Sequence, residues 1–108
     1  MKLQNVAIVS KVGNKDSENA ARDVAKKILA KKATVYTISP VSVEGAKQME
    51  TLEEIKNVKL DLVITLGGDG TTLRVFRNLE NETPILTINV GGNRGILAEI
   101  TIKKLMKQ

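Results

Sequence analysis

Four short runs of apolar residues divide the chain, and within each run the apolar residues are nearly continuous rather than alternating. The runs are rich in valine, isoleucine and threonine and occupy residues 6–9, 34–38, 62–66 and 85–90. Continuous runs of this kind are typical of strands buried on both faces, as in a parallel sheet covered by helices. The pattern therefore predicts four parallel strands.

The segment between the first two runs has the periodicity of a helix. Its apolar residues recur at helical spacing and are Ala21, Val24, Ala25, Ile28 and Leu29. Asp16 or Ser17 is available as the N-cap, because a side-chain oxygen at that position accepts a backbone N–H of the first turn. A helix with one buried face is predicted here.

Two further helical segments are predicted. In the segment 45–58 the apolar residues that fit one or two helical turns are Met49, Leu52 and Ile55. A longer helix is predicted from Thr71 to about Glu80, and the residues of its apolar face are Leu73, Phe76 and Leu79. This helix ends before Pro84, because proline disfavours the helical conformation in the residue that precedes it.

Strands that alternate with helices in this order predict right-handed crossovers and a doubly wound sheet. The predicted fold class is α/β, a Rossmann-like three-layer sandwich with a mostly parallel sheet. The 108 residues, 42% of them hydrophobic, suffice for one small core, so residues 1–108 are interpreted as a single α/β domain. A last helix capped by Thr101 has only about two turns and would be marginal alone, so we expect the first domain of a longer protein.

Composition excludes several kinds of chemistry. The chain has no cysteine and no histidine, so thiol nucleophiles, disulfides, histidine bases and Cys/His zinc sites are excluded, and no metal-ligating residues are predicted. A net charge of +5 favours anionic partners, but Tyr36 and Phe76 are the only aromatic residues, too few to stack on nucleic-acid bases. Small phosphorylated ligands are therefore favoured over nucleic acid.

The chain also lacks the patterns that direct proteins to membranes. No apolar stretch approaches the roughly 20 residues of a membrane-spanning helix, and the polar start is unlike a signal peptide. We therefore expect a cytoplasmic protein with no membrane partner.

The third predicted strand is followed directly by Gly-Gly-Asp-Gly-Thr, residues 67–71. Ligands of open parallel sheets bind beyond the carboxyl ends of strands, where glycines let the backbone approach and the next helix offers free N–H groups. A phosphate fits this place. The negative charge of the Asp69 carboxylate is unfavourable beside a phosphate. Its presence there therefore indicates a functional role, such as accepting a proton or binding a magnesium ion.

Two common phosphate-binding motifs do not fit. The Walker pattern is absent from the chain. In the dinucleotide fingerprint, the third glycine would fall at Leu73 and the acidic ribose-binding residue near Asn89 and Val90. A Rossmann dehydrogenase is therefore disfavoured.

The residues "LGGDGTTLR" (66–74) and "TPILTINVGGNRGILAEI" (83–100) resemble the NAD kinase family. The glycine motif alone is shared with a superfamily that includes diacylglycerol and sphingosine kinases and 6-phosphofructokinases. Lipid kinases usually have an Asn-Glu pair where this chain has Leu73 and Arg74. Phosphofructokinases are much longer. The resemblance implies the N-terminal domain of an NAD kinase.

The chain departs from the family pattern in three respects. The run "NVGGNRG", residues 89–95, has one residue more than the common spacing, and Ile96 stands where phenylalanine is usual. The resemblance places the Asn-Glu or Asn-Asp pair that holds the adenosine ribose in a β-rich second domain, which does not occur in these 108 residues. We therefore expect the isolated chain to have little or no kinase activity.

The resemblance implies transfer of the γ-phosphoryl group of ATP, or of a phosphate from polyphosphate, to the 2′-hydroxyl of the adenosine ribose of NAD. Mg²⁺ or another divalent metal would assist, and Asp69 would accept the proton. The residues implied in binding the nucleotides are Gly67, Gly68, Asp69, Gly70, Thr71, Arg74, Gly95 and Ile96. Small-molecule nucleotides are the implied partners, and homo-oligomers are usual in the family.

Simpler interpretations remain open for these residues. Asp69 or Thr71 could cap a helix, Arg74 could be an ordinary exposed arginine, and Lys11 could face the cleft or only solvent. Asp61 and Glu99 flank strand-like runs and are interpreted as structural or solvated. Two other functions also remain open: a lipid-type or other small-molecule kinase of the same superfamily, and a nucleotide-binding module without catalysis.

Overall fold

A parallel β-sheet forms the centre of the computed structural model, which describes residues 4–79 and 83–89. Within these residues the five strands are β1 (Asn5–Ser10), β2 (Thr34–Ile38), β3 (Lys47–Met49), β4 (Leu62–Gly67) and β5 (Ile85–Asn89). The helices are α1 (Lys15–Leu29), α2 (Asp69–Asn78) and a short 3₁₀ helix (Leu52–Asn57). The spatial order of the strands is β3-β2-β1-β4-β5, and all neighbours are parallel.

The four predicted strands are confirmed, and so is the doubly wound α/β class. The strand β3 was not predicted, because it has only three residues, of which only Met49 is buried. Met49 was expected in a helical turn and lies instead in this edge strand. The predicted helical turn begins three residues later, at Leu52.

The order of the strands reverses between β1 and β4. The chain builds from β1 outward through β2 and β3, then crosses back and adds β4 on the other side of β1. The ends of the two strands stay in register, with Ser10 beside Leu66, and the amide of Lys11 continues the ladder by donating to the Leu66 carbonyl at 2.9 Å. Ligands of doubly wound sheets bind at such a reversal.

The two faces of the sheet carry separate apolar cores, because successive residues of a strand point to opposite faces. On β1, Val6 and Ile8 belong to the core that contains the buried residues of α1. Ala7 and Val9 belong to the other core, which contains residues of the 3₁₀ helix and Val75 of α2. The sheet is thus the middle of three layers. Among the described residues, no helix has the length and apolar character needed to cross a bilayer.

The helix α1 begins earlier than predicted. Its N-cap is Asn14, whose Oδ1 accepts the backbone N–H of Ser17 at 2.8 Å, so the prediction of Asp16 or Ser17 as the cap was wrong. Gly13, with φ of +72°, turns the chain after β1 and places Asn14 where the helix begins. Ser17 lies within the first turn and is buried.

Asp61 has the structural role that was expected for it. Its Oδ2 accepts the backbone N–H groups of Gln4 at 2.9 Å and Asn5 at 2.8 Å. The carboxylate thereby joins the start of β1 to the residue that precedes β4. This contact aligns the two strands on either side of the reversal.

Thr37 is expected to lower the stability of the fold. Its hydroxyl is fully buried and has no hydrogen-bond partner among residues 4–79 and 83–89. Replacement by valine keeps the shape and removes the unpaired polar group, so Thr37→Val should raise the free energy of unfolding by about 1 kcal/mol. Urea unfolding followed by circular dichroism measures the change. Thr37→Ser keeps the hydroxyl and loses a methyl group, so it should be less stable than the wild type; a destabilised Thr37→Val would contradict this account.

Candidate functional site

The glycine motif lies at the carboxyl edge of the sheet, where β4 ends and α2 begins. Gly67 is the last residue of β4, Gly68 is the N-cap of α2, and Asp69 is the first residue of that helix. The neighbouring strand on one side is β1, so the motif lies at the reversal of strand order. The sequence-based placement of the motif beyond a parallel strand is confirmed.

Gly67 is required by the packing of the chain itself. Its φ of +150° is one that residues other than glycine rarely adopt. A Cβ at this position would lie 2.9 Å from the Cβ of Lys11 and 2.9 Å from Oγ1 of Thr71, closer than such atoms approach. Glycine here lets the end of β4 pass between Lys11 and the first turn of α2.

Gly68 and Gly70 lie in a different environment from Gly67. A Cβ at either position would meet no atom within 4 Å, and the φ of Gly68 is −130°. The packing of the described residues therefore does not require glycine at these two positions. They leave open space over the start of α2, which is the space that a ligand approaching the backbone needs.

The N-terminus of α2 has no side-chain cap. Gly68 cannot supply one, and no side chain of the described residues replaces it. The first N–H groups of a helix lack intrahelical partners, and together with the helix dipole they favour an anion. The start of α2 is thus suited to bind a phosphate.

The carboxylate of Asp69 is exposed on this turn. Within residues 4–79 and 83–89, it takes part in no hydrogen bond or ion pair, and it does not cap the helix. The structural interpretation of Asp69 as an N-cap was therefore wrong. The carboxylate is accessible to a ligand at the motif.

Thr71 and Lys11 lie on either side of Gly67. Thr71 is only 4% exposed, and the capping role considered for it is not seen, because Gly68 is the N-cap. Lys11 is exposed and follows β1 directly. It therefore lies at the same edge of the sheet as the motif, within reach of a ligand there.

Arg74 lines a cavity of about 250 Å³ between the ends of β1 and β2. The lining of the cavity is mixed, because Val9, Ile38 and Leu52 are apolar whereas Ser10, Glu18 and Glu50 are polar or acidic. Sequence patterns did not predict this cavity, because its residues come from five separate segments of the chain. Arg74 is exposed, follows the glycine motif by one helical turn, and is the residue of α2 that lines this cavity.

The buried face of α2 differs from the prediction. Thr71 and Val75 are buried, whereas Leu73 is 52% and Phe76 60% exposed, so the predicted apolar face was wrong for these two residues. The helix begins two residues before the predicted start and packs on β4 through the narrow row formed by Thr71 and Val75, one turn apart. Leu73 and Phe76 lie instead on the side of the helix that carries Asp69, at the spacing i, i+4, i+7.

Gly95 and Ile96 lie outside the described residues. So do Glu99 and the helix predicted from Thr101, and the interpretations of both therefore stay predictions. In the part of the chain that the structure describes, no three acidic, histidine or cysteine side chains come together as a metal site.

Three threonine hydroxyls beneath the motif were also missed. Oγ1 of Thr72 lies 3.0 Å from that of Thr65 and 2.9 Å from that of Thr87, and Thr65 donates to Thr87 at 3.3 Å. The available signal was the similar position of Thr65 and Thr87, two residues before the ends of adjacent strands. Threonine is so common in strands that this signal is weak.

These features define a doubly wound α/β domain with an open glycine motif at its strand reversal. The family model of the ATP-NAD kinase N-terminal domain matches residues 6–108, and the chain belongs to this family. NAD kinase 1 of Synechocystis is 37% identical over 100 residues, which cover 92% of this chain and 32% of that protein. NAD kinase of Clostridium botulinum is 53% identical over 57 residues, which cover 48% of this chain and 20% of that protein.

The fold is similar to a solved structure as well. The crystal structure of yeast NADH kinase complexed with NADH matches with a TM-score of 0.79 and 19% identity, over 99% of this chain and 39% of that one. This likeness shows the fold. The chain spans about a third of the length of the curated relatives it matches.

Gly67 and its neighbours are expected to respond differently to alanine. Gly67→Ala should lower the free energy of unfolding by about 2 kcal/mol or more, because both the φ and the contacts of the new Cβ are unfavourable. Gly68→Ala and Gly70→Ala are the matched controls and should change it by less than about 1 kcal/mol. Urea unfolding of the three variants measures the difference. Equal losses in all three would show that the space around Gly68 and Gly70 is not open.

Proposed function

We propose that this chain supplies the phosphate-binding and proton-accepting part of an NAD kinase, which phosphorylates the 2′-hydroxyl of the adenosine ribose of NAD. The observation that carries the proposal is the exposed carboxylate of Asp69, which has no hydrogen bond or ion pair with residues 4–79 and 83–89, beside a start of α2 whose N-cap is a glycine. Membership of the ATP-NAD kinase N-terminal domain family supports the choice of substrates. The NADH in the yeast NADH kinase structure agrees with an acceptor of this type.

The reaction requires one proton acceptor and a site for phosphate charge. The 2′-hydroxyl oxygen of NAD attacks the γ-phosphorus of ATP, the bond from that phosphorus to the β–γ bridging oxygen breaks, and ADP leaves. Asp69 receives the proton of the attacking hydroxyl. The N–H groups at the start of α2 stabilise the charge on the phosphoryl oxygens.

Arg74 and the cavity beside it suit the phosphate donor. A guanidinium forms two parallel hydrogen bonds to a phosphate, and the apolar part of the lining of the 250 Å³ cavity, Val9, Ile38 and Leu52, offers contacts to a nucleoside.

The motif offers one carboxylate to a divalent metal, so most of the other ligands would come from the substrate and from water. Mg²⁺ is commonly held by one or two carboxylates together with the phosphates of the substrate, so it would enter with the donor. Asp69 is the carboxylate of the motif that could ligate it. The metal would neutralise phosphate charge during the transfer.

Asp69→Asn tests the catalytic role. In the longest natural polypeptide that contains this chain, we expect NADP formation to fall about 100-fold or more, because the amide cannot accept the proton. The amide keeps the shape of the side chain, so folding should be unchanged. Asp23→Asn, at an exposed position on α1, is the matched control and should keep full activity.

The outcomes separate the candidate functions. Unchanged NADP formation by Asp69→Asn would remove the catalytic assignment. Competition between NAD and other hydroxylated acceptors then distinguishes an NAD kinase from a lipid-type kinase of the same superfamily. Nucleotide binding without turnover by the intact polypeptide would favour a non-catalytic module.

Arg74→Gln tests the donor side. An amide-resolved NMR titration of this chain with magnesium-ATP should show saturable shifts in residues 67–74, and Arg74→Gln should weaken the affinity about tenfold because a charged hydrogen bond is lost. Arg77→Gln changes the same charge on the same helix at an exposed position outside the cavity lining. Equal weakening by both variants would indicate a general charge effect rather than a contact of Arg74.

A further inference from the structure

The three threonine hydroxyls beneath the motif form a closed triangle, here called the threonine ring (Thr65, Thr72 and Thr87). The three oxygen-to-oxygen distances are 2.9, 3.0 and 3.3 Å. A hydroxyl donates one hydrogen bond and accepts up to two, so three hydroxyls can each donate around such a ring. Because Thr65 donates to Thr87, Thr87 is left to donate to Thr72. Thr72 then donates either to Thr65 at 3.0 Å or to the carbonyl of Gly68 at 3.5 Å, and both acceptors belong to the end of β4 or the start of α2.

The threonine ring joins three elements at the point where α2 begins. Thr65 of β4 and Thr87 of β5 are direct partners in the parallel ladder. Thr72 is the fourth residue of α2, and its amide donates to the Gly68 carbonyl at 3.3 Å. The ring thus connects the first turn of the helix to both strands beneath it.

The hydrogen bonds of the threonine ring fix the orientation of α2 on the sheet more closely than apolar packing would, because hydrogen bonds are directional. Thr65 is fully buried, yet its hydroxyl has partners, whereas the buried hydroxyl of Thr37 on β2 has none. Valine would fill the space of any of these residues, but it would let the short helix rotate or slide on the sheet. The hydroxyls of the threonine ring fix one rotation of the first turn.

The rotation of the first turn of α2 about the helix axis sets the direction of the Asp69 side chain. Thr72 lies three residues after Asp69, within one turn of the same helix. The bonds of Thr72 toward β5 set one flank of α2, and Arg74 on the other flank lines the cavity near β1 and β2. Asp69 and the free N–H groups of the first turn are oriented together by these contacts.

We propose that Thr72, held by Thr65 and Thr87, is a positioning residue that orients Asp69 and the uncapped start of α2 toward the bound phosphate. The proposal rests on the function proposed above for the motif. The role belongs to the hydroxyl group, so serine should replace threonine and valine should not.

The first experiment needs no ligand. We expect Thr72→Val to speed exchange of the residue-72 amide with water about fivefold or more, relative to the amide of Ala25 in α1. A loss of global stability speeds the Ala25 amide at least as much as the residue-72 amide, so it cannot raise the ratio by itself. Thr72→Ser should restore the ratio to within about twofold, and Thr37→Val, which changes a threonine outside the ring, should not speed the residue-72 amide.

The second experiment adds magnesium-ATP and follows the amides of residues 67–74 by NMR. Thr72→Val and Thr87→Val should each weaken the affinity about fivefold or more, and Thr72→Ser should bind as the wild type does. An unchanged exchange ratio in Thr72→Val would overturn the proposal. A changed ratio with unchanged affinity would also overturn it, because the threonine ring would then serve only the fold.

Failure of the function itself gives a different result. If the wild-type chain binds no ATP, the exchange ratio still shows whether the threonine ring holds the first turn. NADP formation by the longest natural polypeptide that contains this chain is then measured in place of ATP affinity. A lower kcat of Thr72→Val with an unchanged KM for NAD supports the positioning role. Equal kcat values for the wild type and Thr72→Val would overturn the proposal there.

Discussion

The close passage of β4 beside the end of β1 is the constraint on which the site depends. The Lys11 amide bonds to the Leu66 carbonyl, and the next residue along β4 has no room for a side chain. Only glycine at position 67 permits this approach, because its φ is positive and its neighbours lie within 3 Å of where a Cβ would be. The close packing of Gly67 against Lys11 therefore fixes the turn into α2 and, with it, the position of Asp69.

The two layers on either side of the sheet contribute unequally to the site. The helix α1 has a broad buried face and a side-chain cap, so it is well anchored on its layer. The helix α2 has ten residues, of which only Thr71 and Val75 are buried. A helix with so little apolar contact needs polar bonds to define its rotation, and the hydroxyls of Thr65, Thr72 and Thr87 supply them.

Sequence patterns predicted the parts of the fold whose physical causes are local or strongly periodic. Continuous β-branched runs indicated four strands, and the glycines after one of them indicated the site. The short strand at Met49 has too few apolar residues to form a pattern. Leu73 and Phe76 are exposed because of how α2 is rotated on the sheet, and that rotation depends on the residue at which the helix begins. An error of two residues in the predicted start turns a different face of the helix toward the sheet. The cavity beside Arg74 and the contacts among threonines depend on residues far apart in the chain, so only the folded structure brings them together.

The difference between the glycines of the motif has an evolutionary consequence. Alanine at position 67 would be removed by selection for folding alone, whether or not the protein retained a ligand. Alanine at positions 68 or 70 meets no such barrier, since a Cβ there has open space around it. A lineage that no longer needed the ligand would keep the first glycine and drift at the other two. If the proposed function holds, the residues at positions 68 and 70 would show whether a descendant of this chain has kept its ligand, whereas glycine at position 67 would show only that it still folds.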